Sequence, residues 1–246
     1  LSENGYNLWT KRQSLFAVMN AIAMSRWRMK DKEPIIMVFL DIETTTFFQD
    51  EHIKALPRDQ QIAAMEFGIA VTIDSSEQSQ RVWTKDQVVD LYNYLVWCGV
   101  EVCGWNIDAF DLPVIINNAA KAGWNTLEVE HETIRTLDLF AEIRQHTGRW
   151  YGLGVVSEAT LKRSKLADGQ KAAEWLRSGD PADFQKAVEY CTADVELVRE
   201  MYELWFHGSP IILPPRAERG EINPINWWYD GGFERVPDAT GAISTK

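Results

Sequence analysis

The rhythm of apolar and polar positions changes near residue 35. Residues 35–40 form an unbroken apolar run that ends on Asp41, the pattern of a strand buried on both faces. Residues 44–61 are polar, contain Pro57 and read as a loop. Residues 65–73 and 81–84 read as two further strands joined by a polar turn over 74–79. Val88, Leu91, Tyr92 and Leu95 repeat with helical spacing, which predicts a helix over 85–97. A short strand is expected over 100–105. A helix follows over 112–121, with Asp111 as its N-cap and Pro113 in its first turn. A fifth strand is expected at 134–137, and then mostly helix: about 138–146, 153–162, 170–178 and 182–206. Strands that give way to strands alternating with helices predict an α/β fold, a five-stranded sheet flanked by helices.

The two ends differ from this middle. Leu15, Val18, Met19, Ile22 and Arg26 follow a helical stripe, so residues 1–33 are expected to form an amphipathic helical extension. Lys11 and Arg12 ahead of an apolar stretch imitate a signal peptide, but Asn20 interrupts the run and Arg26, Arg28 and Lys30 follow at once. Residues 208–246 hold five of the nine prolines and read as a tail with little regular structure, laid on the domain of residues 34–207.

Composition narrows the class. Apolar residues make up 46% and charged residues 25% of the 246, which excludes a disordered or fibrous chain. No apolar run reaches the roughly 18 residues of a membrane span, so no membrane partner is expected. Three cysteines (Cys98, Cys103 and Cys191) are too few and too scattered for a disulfide framework, which points to a reducing, cytoplasmic setting. The net charge of −11 is wrong for a protein that grips duplex DNA broadly. If nucleic acid is the substrate, a local patch or bound cations must hold it.

The chemistry lies in carboxylates at element ends. Asp41 and Glu43 close the first strand and share one face, because strand side chains alternate. Such a pair is either solvated at the strand end or compensated by cations, and two divalent metals would fit between them. Asn106, Phe110 and Asp111 lie in a strand–loop–helix connection where Asp111 could merely cap the helix. Tyr190 and Asp194, four apart, lie on one face of the last helix.

Together the three pieces resemble the DEDDy-type 3′–5′ exonucleases of the DnaQ-like, ribonuclease-H-like superfamily, marked by Asp-x-Glu, Asn-x-x-x-(Phe/Tyr)-Asp and Tyr-x-x-x-Asp. The segment 104–115 is also similar to the matching stretch of family B polymerase proofreading domains. A sister group carries His where this chain has Glu189, so Tyr190 places the resemblance with the Tyr group. The resemblance covers about residues 34–206. It implies a ribonuclease-H-like mixed sheet and hydrolysis of phosphodiester bonds from the 3′ end with two Mg²⁺ or Mn²⁺ ions. Asp41, Glu43, Asp111 and Asp194 would be the metal ligands, and Tyr190 would orient the attacking water.

It further implies that Thr44, Thr45 and Phe47 lie beside the terminal nucleotide, with Asn106 and Phe110 facing the strand or fixing the loop. Lys162, Arg163, Lys165 and Lys171, with Arg149, Trp150 and Tyr151 upstream, read either as a solvated face or as a track for the phosphate backbone. Single-stranded DNA is the favoured partner and RNA the other; a separate polymerase or helicase is a further expected partner. Rival readings are an inactive nucleic-acid-binding protein of the same fold, a structure-specific ribonuclease, and an acidic hydrolase such as a glycosidase.

Overall fold

The computed structural model of the chain describes residues 36–97, 101–124, 134–166, 169–215, 224–227 and 233–235. The expected N-terminal helix and Cys98 lie outside them. The first strand, β1 (Met37–Thr44), is buried along nearly its whole length. Its even positions Val38, Leu40 and Ile42 enter one apolar cluster, and its odd positions Met37 and Phe39 enter another. Strand alternation therefore sends Asp41 and Glu43 to the second face.

β1 pairs antiparallel with β2 (Phe67–Asp74), and β2 pairs antiparallel with β3 (Ser79–Thr84). On its other side β1 runs parallel to β4 (Glu101–Gly104), and β4 runs parallel to β5 (Thr136–Asp138). The order β3-β2-β1-β4-β5 is a mixed five-stranded sheet. It brings the carboxyl ends of β1, β4 and β5 to one edge, where sites form in α/β sheets.

Two layers of helix cover the sheet. Leu91, Tyr92 and Leu95 of the helix Val88–Trp97 and Val114, Ile115 and Ala119 of Asp111–Lys121 bury against the even face of β1. The odd face receives Leu139–Thr147, Leu153–Leu161 and the long helix Pro181–Phe206. Asp180 caps that long helix by accepting from Ala182 N at 2.8 Å, and Pro181 follows at its first position. The helix Gly169–Ser178 packs against the long helix. No helix among the described residues is long and apolar enough to cross a membrane.

Two expectations need correction. Residues 44–61 are not simply a loop: short helices occupy Glu51–Lys54 and Arg58–Ala64, with Pro57 in extended backbone just before the second. Their buried anchors are as few as Ile53, too sparse to show a period in a polar run. Residues beyond 208 also hold regular structure. Strands β6 (Ile211–Leu213), β7 (Ile225–Trp227) and β8 (Phe233–Arg235) pair antiparallel. Ile211, Leu213, Ile225 and Trp227 join the core, with the Trp227 ring 4.3 Å from that of Trp205. Three-residue strands leave too short a run to be read from alternation.

Candidate active site

Four acids from three segments, Asp41 with Glu43, Asp111 and Asp194, lie within electrostatic reach of one another at the carboxyl edge of the sheet. Asp41 and Glu43 arrive on the odd face of β1, toward the long helix that carries Tyr190, Cys191 and Asp194. One ligand atom each of Asp41, Glu43 and Cys191 lies within 4.8 Å of the others. The Cys191 thiol donates to the Asp41 carbonyl at 3.3 Å and lies 3.6 Å from Asp41 Oδ2. Register slips between Glu43 and Thr44, a bulge of the kind that re-aims side chains beside active sites. Gly68 makes room opposite, since a Cβ there would lie 2.9 Å from the Glu43 carbonyl.

Asp111 comes from the neighbouring helix. The sequence predicts it as the N-cap, but Phe110 holds that position and Asp111 is the first helical residue. Its Oδ1 instead accepts from Ile42 N at 3.2 Å, which fixes the carboxylate against β1 between Asp41 and Glu43. The loop leading to it needs special backbone. Asn106 has a φ of 65°, a left-handed value that Asn tolerates. A Cβ on Gly104 would lie 2.8 Å from the Leu40 carbonyl and 2.2 Å from Ile107 Cγ2, so only glycine fits.

One residue that sequence reasoning missed anchors this loop. Asp138, buried at the end of β5, accepts from Asn106 N at 2.8 Å and Asp108 N at 3.2 Å. It also caps the helix Leu139–Thr147 by accepting from Phe140 N and Ala141 N. Burial raises its carboxyl pKa against these donors. An aspartate at a strand end before a helix is the signal that could have found it.

The cluster is electrostatically strained. Burial above all, then the Asp194 charge, pushes Asp41 up to about 7, although part of its side chain still meets solvent. Burial and the charges of Asp41 and Asp194 hold Glu43 well above the carboxylate range, and burial with Asp41 does the same for Asp111. Asp194 is raised by burial, against the opposing pull of Lys165. The Lys165 ammonium sits 2.6 Å from Asp194 Oδ2 and 5.2 Å from the centre of the Tyr190 ring. Burial works against that ammonium, but Asp194 and Asp41 outweigh it and raise its pKa. Burial, then Asp194, raises the Tyr190 hydroxyl, which stays protonated at neutral pH.

The residues fit a hard divalent cation. Carboxylate oxygens are its preferred donors. Asp194 Oδ1 and the Tyr190 hydroxyl are buried without a hydrogen-bond partner among the described residues. Orphaned buried polar atoms of this kind ask for an ion or water.

The other predicted residues divide. Thr44 is buried and donates to the Thr46 carbonyl at 2.6 Å, while Thr45 N donates to the Glu66 carbonyl at 2.9 Å. Phe47 N donates to Asp50 Oδ2 at 2.8 Å, and Arg177 holds the same carboxylate at 3.2 Å. Beside this turn an open cleft of about 510 Å³ is lined by Thr45, Thr46, Asp50, Glu66, Lys85 and Arg177. Phe110 packs on Phe48, ring centres 5.9 Å apart. The residues of the expected basic track each have a partner. Lys165 turns into the acids, Arg163 pairs with Glu196 and Glu200, Lys171 pairs with Glu174, and Lys162 donates to the Ala159 carbonyl. In an acidic chain, neighbouring carboxylates take up such cations.

A family model described as RNase_H superfamily matches residues 38–206. The chain belongs to the RNase H superfamily, a nuclease family whose RNase H-like members use divalent metals. Among solved structures it is similar to the family B DNA polymerase from the hyperthermophilic archaeon Pyrobaculum calidifontis, with a TM-score of 0.52 and 17% identity. That likeness covers 70% of this chain and 25% of the polymerase, so the chain spans about a quarter of its length, and at this identity it speaks for the fold. No curated protein matches the sequence.

Proposed function

We propose that this chain is a metal-dependent 3′–5′ exonuclease of the DEDDy type, acting on single-stranded DNA. The observation that carries the reading is the convergence of Asp41, Glu43, Asp111 and Asp194 from one strand and two helices, with the unpartnered Tyr190 hydroxyl beside them. The order of the three motifs, and their likeness to polymerase proofreading domains, support the polarity.

The four carboxylates would hold two Mg²⁺ or Mn²⁺ ions. Bound there, such ions activate water and stabilise charge on the leaving oxygen. Cations bound there would also offset the carboxylate charge that a phosphate meets as it enters. The protein's own groups do the rest. Tyr190 keeps its proton and positions the attacking water as a hydrogen-bonding group rather than a base. Lys165 keeps its charge beside Asp194 and is placed to meet a phosphate oxygen. The Thr44–Phe47 turn, pinned through Asp50 and Arg177, offers an edge for the 3′ nucleotide. Phe110, packed on Phe48, lies beside the same turn, and Asn106 shapes the loop that leads to it.

The test is a time course on 5′-labelled single-stranded DNA and RNA, with Mg²⁺, Mn²⁺ or EDTA. A ladder that shortens from the 3′ end, vanishes in EDTA and is lost in Asp41→Asn is the expected result. Cleavage of a circular single strand, or activity that survives the chelator, would overturn the reading.

A further inference from the structure

Trp150 leaves 57% of its surface to solvent, yet it is held in place. The Arg144 guanidinium carbon lies 4.0 Å from the centre of its ring, and Phe140 meets it edge-on at 5.2 Å. Phe140 is in turn 6.2 Å from Trp105, ring centre to ring centre. Trp105 adjoins Asn106, and one oxygen of Asp138 accepts from both Asn106 N and Phe140 N. The aromatic row and the loop that carries Asp111 therefore share an anchor. A row of rings runs from the carboxyl edge of β4 out to the surface.

Scattered exposed apolar residues are ordinary, but two things set this one apart. A pinned indole loses little conformational freedom when a second ring stacks on it. Arg144 also makes no salt bridge among the described residues; its guanidinium lies over the indole instead. The nearby Glu142 carboxylate lies 3.6 Å from His146 instead. A cation lying on an exposed aromatic, in a chain of net charge −11, matches a ligand with a ring and an anionic backbone.

We propose that Trp150 and Arg144 form a second nucleic-acid subsite, a platform on which a base upstream of the 3′ end stacks while Arg144 meets its phosphate. The proposal rests on the exonuclease reading but concerns binding outside the reacting centre. Trp150 is a substrate-binding residue here and takes no part in hydrolysis.

The experiment measures anisotropy of 5′-fluorescein dT₃, dT₁₂ and rU₁₂ with Ca²⁺ in place of Mg²⁺. Loss of one stacked base weakens binding roughly 5- to 150-fold. Trp150→Ala should therefore weaken dT₁₂ about tenfold and leave dT₃ within twofold, while Trp150→Phe keeps most of the affinity. Arg144→Gln should weaken dT₁₂ and flatten the salt dependence by about one unit of slope. Equal binding of dT₁₂ by wild type and Trp150→Ala overturns the subsite, as does equal weakening of dT₃ and dT₁₂. Wild-type protein that binds none of the three oligonucleotides removes the exonuclease reading and the subsite with it. A parallel effect on rU₁₂ would extend the platform to RNA.

Discussion

Asp41→Asn provides a measurement of the strain in the acid cluster that needs no substrate. Asp41 is held near 7 in the fold, while an unfolded aspartate titrates near 3.9. Each pH unit of such a difference is worth about 1.4 kcal/mol, so ionising Asp41 costs the metal-free fold about 4 kcal/mol. That is an upper bound, because part of the side chain meets solvent. For an acid whose pKa is raised by folding, the contribution is fully present below about pH 4 and is lost as pH climbs through about 7. Asparagine has no such dependence. At this size about 4 kcal/mol corresponds to roughly 10 °C in Tm. In EDTA, the Tm of Asp41→Asn minus that of wild type should therefore grow by about 10 °C between pH 4 and pH 8, followed by circular dichroism. Millimolar Mg²⁺ at pH 8 should raise wild type and leave the variant unmoved. A difference that does not vary with pH in EDTA would refute the reasoning.

Three further outcomes follow. Tyr190→Phe removes only the hydroxyl beside Asp194 and Lys165, so its Tm should stay within a few degrees of wild type while turnover falls roughly 10²-fold at most, less than for Asp194→Asn. Gly104→Ala forces a Cβ to 2.2 Å from Ile107 Cγ2 and should lose about 3 kcal/mol in urea unfolding, as overpacking does. Asp138→Ala strips a helix cap and orphans the N–H groups of Asn106 and Asp108, for a loss of about 3 kcal/mol in the same assay. Asp138→Asn keeps one acceptor oxygen and should lose about 1 kcal/mol.

The sheet is legible in the sequence where its code is local. The run before Asp41 announces a strand covered on both sides, and alternation alone sends Asp41 and Glu43 to the face opposite Val38 and Leu40. Four-residue spacing likewise puts Tyr190 and Asp194 on one side of a helix. Contacts made only by folding are not legible. Lys165 looks like one member of a basic run, and nothing in its neighbourhood along the chain says that it turns inward to Asp194 while Arg163 turns to Glu200. Asp111 looks like a cap because caps are local, but its partner, Ile42 N, is 69 residues away. Asp138 gathers N–H groups from two segments about 30 residues apart, beyond any periodic signal.

The superfamily match stops at Phe206, but the packed interior does not. Trp227 lies over Trp205, Tyr151 donates to the Pro214 carbonyl at 3.2 Å, and Thr160 Oγ1 accepts from Ile212 N at 3.0 Å. A fragment trimmed to the matched boundary would bare the end of the very helix that carries Tyr190 and Asp194. Whoever expresses this chain in pieces should keep everything through Arg235, because a boundary drawn by similarity amputates a wall of the building.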